Sequence, residues 1–217
     1  MDLGKLERII AGDVDFDIGN SITKGFETFK VNPLMHIGFT FVILLSQFLF
    51  THFLEDYVFV YSIFLSPPLL AGFYLIGNRI SQNEFFDFPD YFKGFQYWLA
   101  LIIVNLISSI LTVIGIVFLI IPGIYLLVGY MFAHLFVIYG GFEFWTAMEL
   151  SRRLVTKNWF KFFGLGVVLL LINIAGVLAL GIGLLVSIPV SYFTIYKLFE
   201  DLTEDAVVVP NESEDYS

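Results

Sequence analysis

The chain has 217 residues, of which 58% are hydrophobic and 14% charged, against roughly 45–50% apolar and 25% charged in soluble domains, so a soluble globular protein is excluded. Its formal net charge of −9 offers phosphates no clustered cations, and no nucleic-acid partner is expected. Cysteine is absent, which rules out disulfides, thiolate metal ligands and cysteine nucleophiles.

Residues 1–17 form a mixed N-terminal segment with a short helix predicted over Leu3 to Ile10. The stretch from Phe16 to Lys30, FDIGNSITKGFETFK, is amphipathic: Ile18, Ile22, Phe26 and Phe29 recur at helical spacing, while Lys24, Glu27 and Lys30 fall elsewhere on the wheel. It is expected to lie on the membrane surface. Val31 to Leu54 is free of Asp, Glu, Lys and Arg and supplies a first span, ended by Glu55 and Asp56. No cleavable leader is expected, so this span would serve as its own insertion signal. Tyr57 to Asn78 supplies a second span, with Pro67-Pro68 near its middle and Arg79 at its end.

The segment EFFDFPDYFKGFQYW, Glu84 to Trp98, mixes aromatic and charged residues as a chain at the headgroup level does. The uncharged run from Gly94 to Phe142 is too long for one crossing and suits two helices of about 20 residues each. Ile114 to Phe132, at its centre, is the stretch around which the rest is expected to be organised. Glu143 to Lys161 returns to surface character, with Glu149, Arg153 and Lys157 on one face and Trp145, Met148, Val155 and Trp159 on another. Phe162 to Tyr196 is uncharged but short for two full crossings of about 30 Å at about 1.5 Å per residue. Spans five and six are therefore short, a re-entrant pair being the alternative. Residues 201–217 are read as an acidic, disordered tail.

The predicted fold is an all-α polytopic membrane protein with six transmembrane helices in three hairpins and amphipathic surface helices on the cytoplasmic side. With six spans, all 11 Lys and Arg residues fall on one side, which the positive-inside rule makes cytoplasmic, as are both termini. The six-helix domain covers residues 18–200. Aligning Phe29-Lys30, Phe92-Lys93 and Phe160-Lys161, each expected to open a span, divides it into repeats 18–80, 84–142 and 143–200. Asn105 and Asn173 then fall at the same distance after Lys93 and Lys161. Parallel repeats of this kind are related by an axis near the membrane normal.

Within the spans, His134 is the ionisable residue, and intramembrane ionisable residues are functional candidates by default. Asn105 and Asn173 are the further polar candidates. For all three the plainer alternative is helix packing through hydrogen bonds. Pro67, Pro68, Pro122 and Pro189 are candidate kinks, since proline removes a backbone donor, or else helix-start positions. His36 and His52 are read as packing near span ends. Scattered histidines without a carboxylate partner predict no metal site, no catalytic residues and no cofactor.

The segments FDIGNSITKGFETFKVNP, FFDFPDYFKGF, IPGIYLLVGYMFA, TAMELSRRLVTKNWFKFFGL and IPVSYFTIYKLF together resemble a group of bacterial six-helix membrane proteins of largely unassigned function. That group includes the YciC-like proteins and the membrane domain accompanying some glycerophosphodiester phosphodiesterases. The resemblance runs over roughly residues 16 to 200 and implies a bacterial inner-membrane location. Enzymes of the group keep catalysis in a separate soluble domain. The resulting expectation is a non-enzymatic integral membrane protein that scaffolds or assists a membrane complex, with the lipid bilayer and a membrane protein or a second copy of itself as partners. The alternative is a transporter or lipid-handling protein with a path between the repeats lined by Asn105, Asn173 and His134. An enzyme would require His134 to fall near Glu143 or Glu149.

Overall fold

A computed structural model of the chain describes residues 1–206, and these are helical, with no strand among them. Helix α1 spans Leu3–Ala11, capped by the Asp2 carboxylate, which accepts the Gly4 and Lys5 amides at 2.8 and 3.2 Å. Helix α2 is Ile18–Lys30, and α3 is Pro33–Phe53, with Pro33 where its missing N–H costs nothing. The return helix begins with a 3₁₀ turn at Glu55–Tyr57, α4 at Val58–Val60 and a π-helical turn at Tyr61–Leu65, and continues as α5, Ser66–Ser81. A 3₁₀ helix at Phe88–Tyr97 leads into α6, Trp98–Phe118. Helices α7 (Ile120–Gly129), α8 (Ala133–Gly140), α9 (Phe144–Thr156), α10 (Trp159–Leu178) and α11 (Leu184–Thr203) follow.

Five helical stretches are long and apolar enough to cross a membrane: Pro33–Phe53, Glu55–Ser81, Phe88–Phe118, Ile120–Gly140 and Trp159–Leu178. Helix α11 is as long as α10, but its last turns carry Lys197, Glu200 and Asp201.

The centre of the molecule is α11 rather than the Ile114 to Phe132 stretch. Phe118 and Ile121, at the α6–α7 turn, are 79% and 81% exposed, whereas α11 buries Pro189, Val190, Phe193, Tyr196 and Phe199. The apolar turn packs α6 and α7 on each other, Gly115 against Gly123, while α11 lies between two clusters of buried side chains and contributes to both. Helix α5 runs parallel to α11: Phe73 meets Phe193, Gly77 meets Tyr196, and Ser81 meets Lys197 and Glu200.

The three amphipathic segments pack on protein. The 3₁₀ helix lies on α5, α9 on α7 and α8, and α2 on α11, which brings the N-terminal and C-terminal parts of the chain together. For α2 the packed face is Ser21, Gly25, Thr28 and Phe29, while Phe26 is exposed. A Cβ on Gly25 would overlap Thr194, so small side chains permit the close approach to α11, while Ile18, Ile22 and Phe29 of the apolar stripe pack beside it. Along α5, Gly94 sits against the Pro68 carbonyl with no room for a Cβ. Pro68 has no N–H to give the Phe64 carbonyl, and the Trp98 indole donates to that oxygen instead, at 2.8 Å. On the third contact the Ser151 hydroxyl of α9 enters the break between α7 and α8, donating to the Gly129 carbonyl at 2.7 Å and accepting the Phe132 amide at 3.0 Å.

The Phe-Lys pairs therefore occupy different places: the end of α2, the middle of the 3₁₀ helix and the first turn of α10. Residues 201–206 are ordered helix, with Thr203 and Ala206 buried and the Ala206 carbonyl accepting the Asp2 amide at 2.9 Å. The acidic tail expected from residue 201 is thus helical and docked through 206, and its remainder lies outside the described residues.

Candidate functional site: a polar cavity where four helices meet

Helices α5, α6, α8 and α11 converge on a cavity of about 120 Å³. Its polar lining is Ser66 and Tyr74 from α5, Asn105 from α6, His134 from α8 and Tyr192 from α11. Pro67, Leu70 and Ala71 form the apolar wall. Pro67 lies in the first turn of α5, directly after the π turn, where its missing N–H costs little. Among the described residues, none of the five polar side chains has a hydrogen-bond partner. Tyr74 is 94% buried, its relative exposure being 6%. Ser66, Asn105, His134 and Tyr192 are half-buried, so the lining presents unpaired polar groups to a space that a water or a small polar guest can enter.

Beyond a layer of tyrosines lies a larger cleft. The Tyr139 hydroxyl donates to the Tyr74 carbonyl at 2.8 Å, and the Tyr139 and Tyr196 rings pack at 5.7 Å. The Tyr196 hydroxyl contacts Asn78 Oδ1 at 3.0 Å and Glu200 at 2.9 Å. The cleft, about 550 Å³, is bounded by Asn78, Ser81, Lys197 and Glu200 on the side of this layer. Lys197 pairs with Glu200 at 2.8 Å and also donates to Ser81, whose hydroxyl reaches Glu200 at 2.9 Å. Lys197 and Glu200 are thus matched to each other in the cleft and not in the cavity.

Of the residues singled out by sequence, Pro67, Asn105 and His134 come together here. Asn173 does not. Its amide donates to the Ser191 hydroxyl and the Leu169 carbonyl at 2.8 Å each, and accepts from Ser187 at 2.9 Å, clamping α10 to α11. Pro68 and Pro189 are buried away from the lining, and Pro189 lies within α11. Pro122 is exposed in the first turn of α7. The break in that returning helix lies at Tyr130 to Phe132, where Ser151 supplies the missing partners, and not at the proline. The histidine nearest the start of α3, His36, is fully buried among Phe29, Phe86, Tyr91 and Phe193, with Nδ1 on the Tyr91 hydroxyl and Nε2 unpaired. His52 is exposed and stacks on Phe48.

Neither Glu143 nor Glu149 reaches the cavity. Glu149 is held by Arg152 in a two-point pair at 2.7 and 2.9 Å, which keeps its carboxyl below the usual carboxylate range. The same guanidinium donates to the Tyr125 hydroxyl at 3.2 Å. Among the described residues no three His, Asp or Glu side chains come together as a metal site would need.

Sequence reasoning missed Ser66, Tyr74 and Tyr192. Tyr192 was visible as the tyrosine three positions after Pro189, matching Tyr125 after Pro122, but spacing alone does not say which face meets other helices. The chain matches no family model, no curated protein and no solved structure.

Proposed function

We propose that the chain is a six-span membrane protein, three hairpins with both termini cytoplasmic, that admits a small polar molecule or headgroup from the cleft into the cavity without a catalytic step. The observation that carries this reading is the set of unpaired polar side chains on Ser66, Tyr74, Asn105, His134 and Tyr192 around one space in an apolar bundle. Cells place such polar surface inside a bilayer where a solute or ion path runs. In this reading α11 is the sixth span, its charged end at the cytoplasmic surface beside Lys24 and Arg79. The repeats follow the packing, each amphipathic helix resting on the unit before it. Phe16-Asp17, Phe86-Asp87 and Phe142-Glu143 then mark equivalent starts at the N-caps of α2, the 3₁₀ helix and α9.

The scaffolding reading drew on amphipathic helices presented to a partner and on the acidic tail. Those helices use one face inside the bundle, and the tail beyond residue 206 lies outside the described residues.

Because the natural chain has no cysteine, single cysteines report access directly. Ser66→Cys is expected to react with methyl methanethiosulfonate, while Leu169→Cys, buried in an apolar contact, stays unreactive. A Ser66→Cys protein that folds and reacts no faster than Leu169→Cys removes the cavity reading.

A further inference from the structure

We infer that the guest of the cavity is an uncharged, hydrogen-bonding solute of a few heavy atoms, and that ions are rejected. This rests on the reading of the cavity as a guest site and adds its chemical class. The lining offers both donors and acceptors without a formal charge: the Ser66, Tyr74 and Tyr192 hydroxyls do either, Asn105 has a carbonyl oxygen and an amino group, and a neutral imidazole gives one of each. Among the described residues, no Lys, Arg, Asp or Glu lines it.

An ion entering would shed its hydration shell beside Pro67, Leu70 and Ala71 with no opposite charge to meet it, a transfer that is costly in a low-dielectric interior. A neutral amide or polyol loses only hydrogen bonds to water, and the five side chains replace them. Size narrows the class further. About 120 Å³ lies well below the 300–1,000 Å³ typical of sites for drug-sized ligands, which leaves molecules on the scale of urea or glycerol. The charges of Lys197 and Glu200 stand in the outer cleft on the far side of Tyr74, Tyr139 and Tyr196, paired with each other and with Ser81. An ion reaching the cleft meets partners there and none further in.

The test uses the full chain in detergent, where the bilayer does not sort reagents, with Ser66→Cys and, on the apolar wall, Ala71→Cys. Each is treated with a neutral, a cationic and an anionic methanethiosulfonate, and rates are divided by those of the same reagents with a free thiol. The expected result is a neutral reagent at least 10-fold faster than either charged one in both variants, slowed by added urea or glycerol. Gln82→Cys, in the exposed part of the cleft, is expected to react with all three alike. Charged reagents within a factor of about two of the neutral one would overturn the neutral class while leaving the guest site standing. A silent cysteine at both positions would overturn both.

Discussion

At the scale of single residues, Ser151 shows how one hydroxyl can hold a broken helix. It serves the Gly129 carbonyl and the Phe132 amide at once, both fully enclosed between α7, α8 and α9. Ser151→Ala leaves both without a partner, and thermal unfolding in detergent is expected to show a loss of about 1–3 kcal/mol. A loss no larger than that of Thr23→Ala, an exposed hydroxyl bonded only to its own helix, would show that the break holds without Ser151. The Glu149–Arg152 pair gives a pH signature. The folded carboxyl lies below its ordinary value of 4.5, so its stabilising effect is complete above that value and is lost as pH falls through the lowered one. Glu149→Gln should therefore be less stable than the natural chain at neutral pH, by under about 1 kcal/mol at this half-exposed site, and the gap should close in acid. Paired melting curves at the two pH values measure it.

Residue identity made part of the cavity legible in advance. His134 and Asn105 stand out because polar side chains are rare in uncharged runs, and Pro67 because proline interrupts one. Asn173 carried the same signal and went elsewhere, to Ser187 and Ser191, which lie one helical turn apart on α11 and can grip one amide between them. Rarity identifies a polar residue, but only its partners across the helix interface decide between packing and a site.

At the scale of elements, each amphipathic segment lies along the chain where the sequence places it and packs one face on protein. A wheel shows that a helix has two faces and is silent on what covers them. For α2 the face against α11 includes the small residues Ser21 and Gly25, since close approach of two backbones needs absent side chains. Gly25→Ala is therefore expected to lower the melting temperature even though alanine is the better helix former by about 1 kcal/mol. Gly166→Ala in α10, where nothing lies within 4 Å, should be neutral or stabilising. Equal behaviour of the two would show that α2 does not rest on α11 as described.

At the scale of the whole molecule, composition declared a membrane protein and hydrophobic run lengths marked its long helices. The arrangement of those helices lay in contacts between distant segments, which no window along the chain contains. The six-span topology predicts that Lys5→Cys is labelled by an impermeant maleimide only from the cytoplasmic face and Asp56→Cys only from the opposite one. Labelling of both from the same face would remove the three-hairpin arrangement. If the helix-on-previous-hairpin contacts hold the units together, a chain cut at the exposed Gln82 to Phe85 turn should reassemble from co-expressed halves and co-purify.

The contact of α2 with α11 also sets a clock on assembly. Lys24 and Asp201, paired at 2.6 Å, are 177 positions apart, so at about 5–20 residues per second about 9–35 s separate their synthesis. For that interval the first amphipathic helix has been made and its seat has not. The Ser21, Gly25 and Thr28 face must be parked on lipid headgroups or on an insertion factor until the last helix arrives, and completion of the fold is tied to completion of the chain.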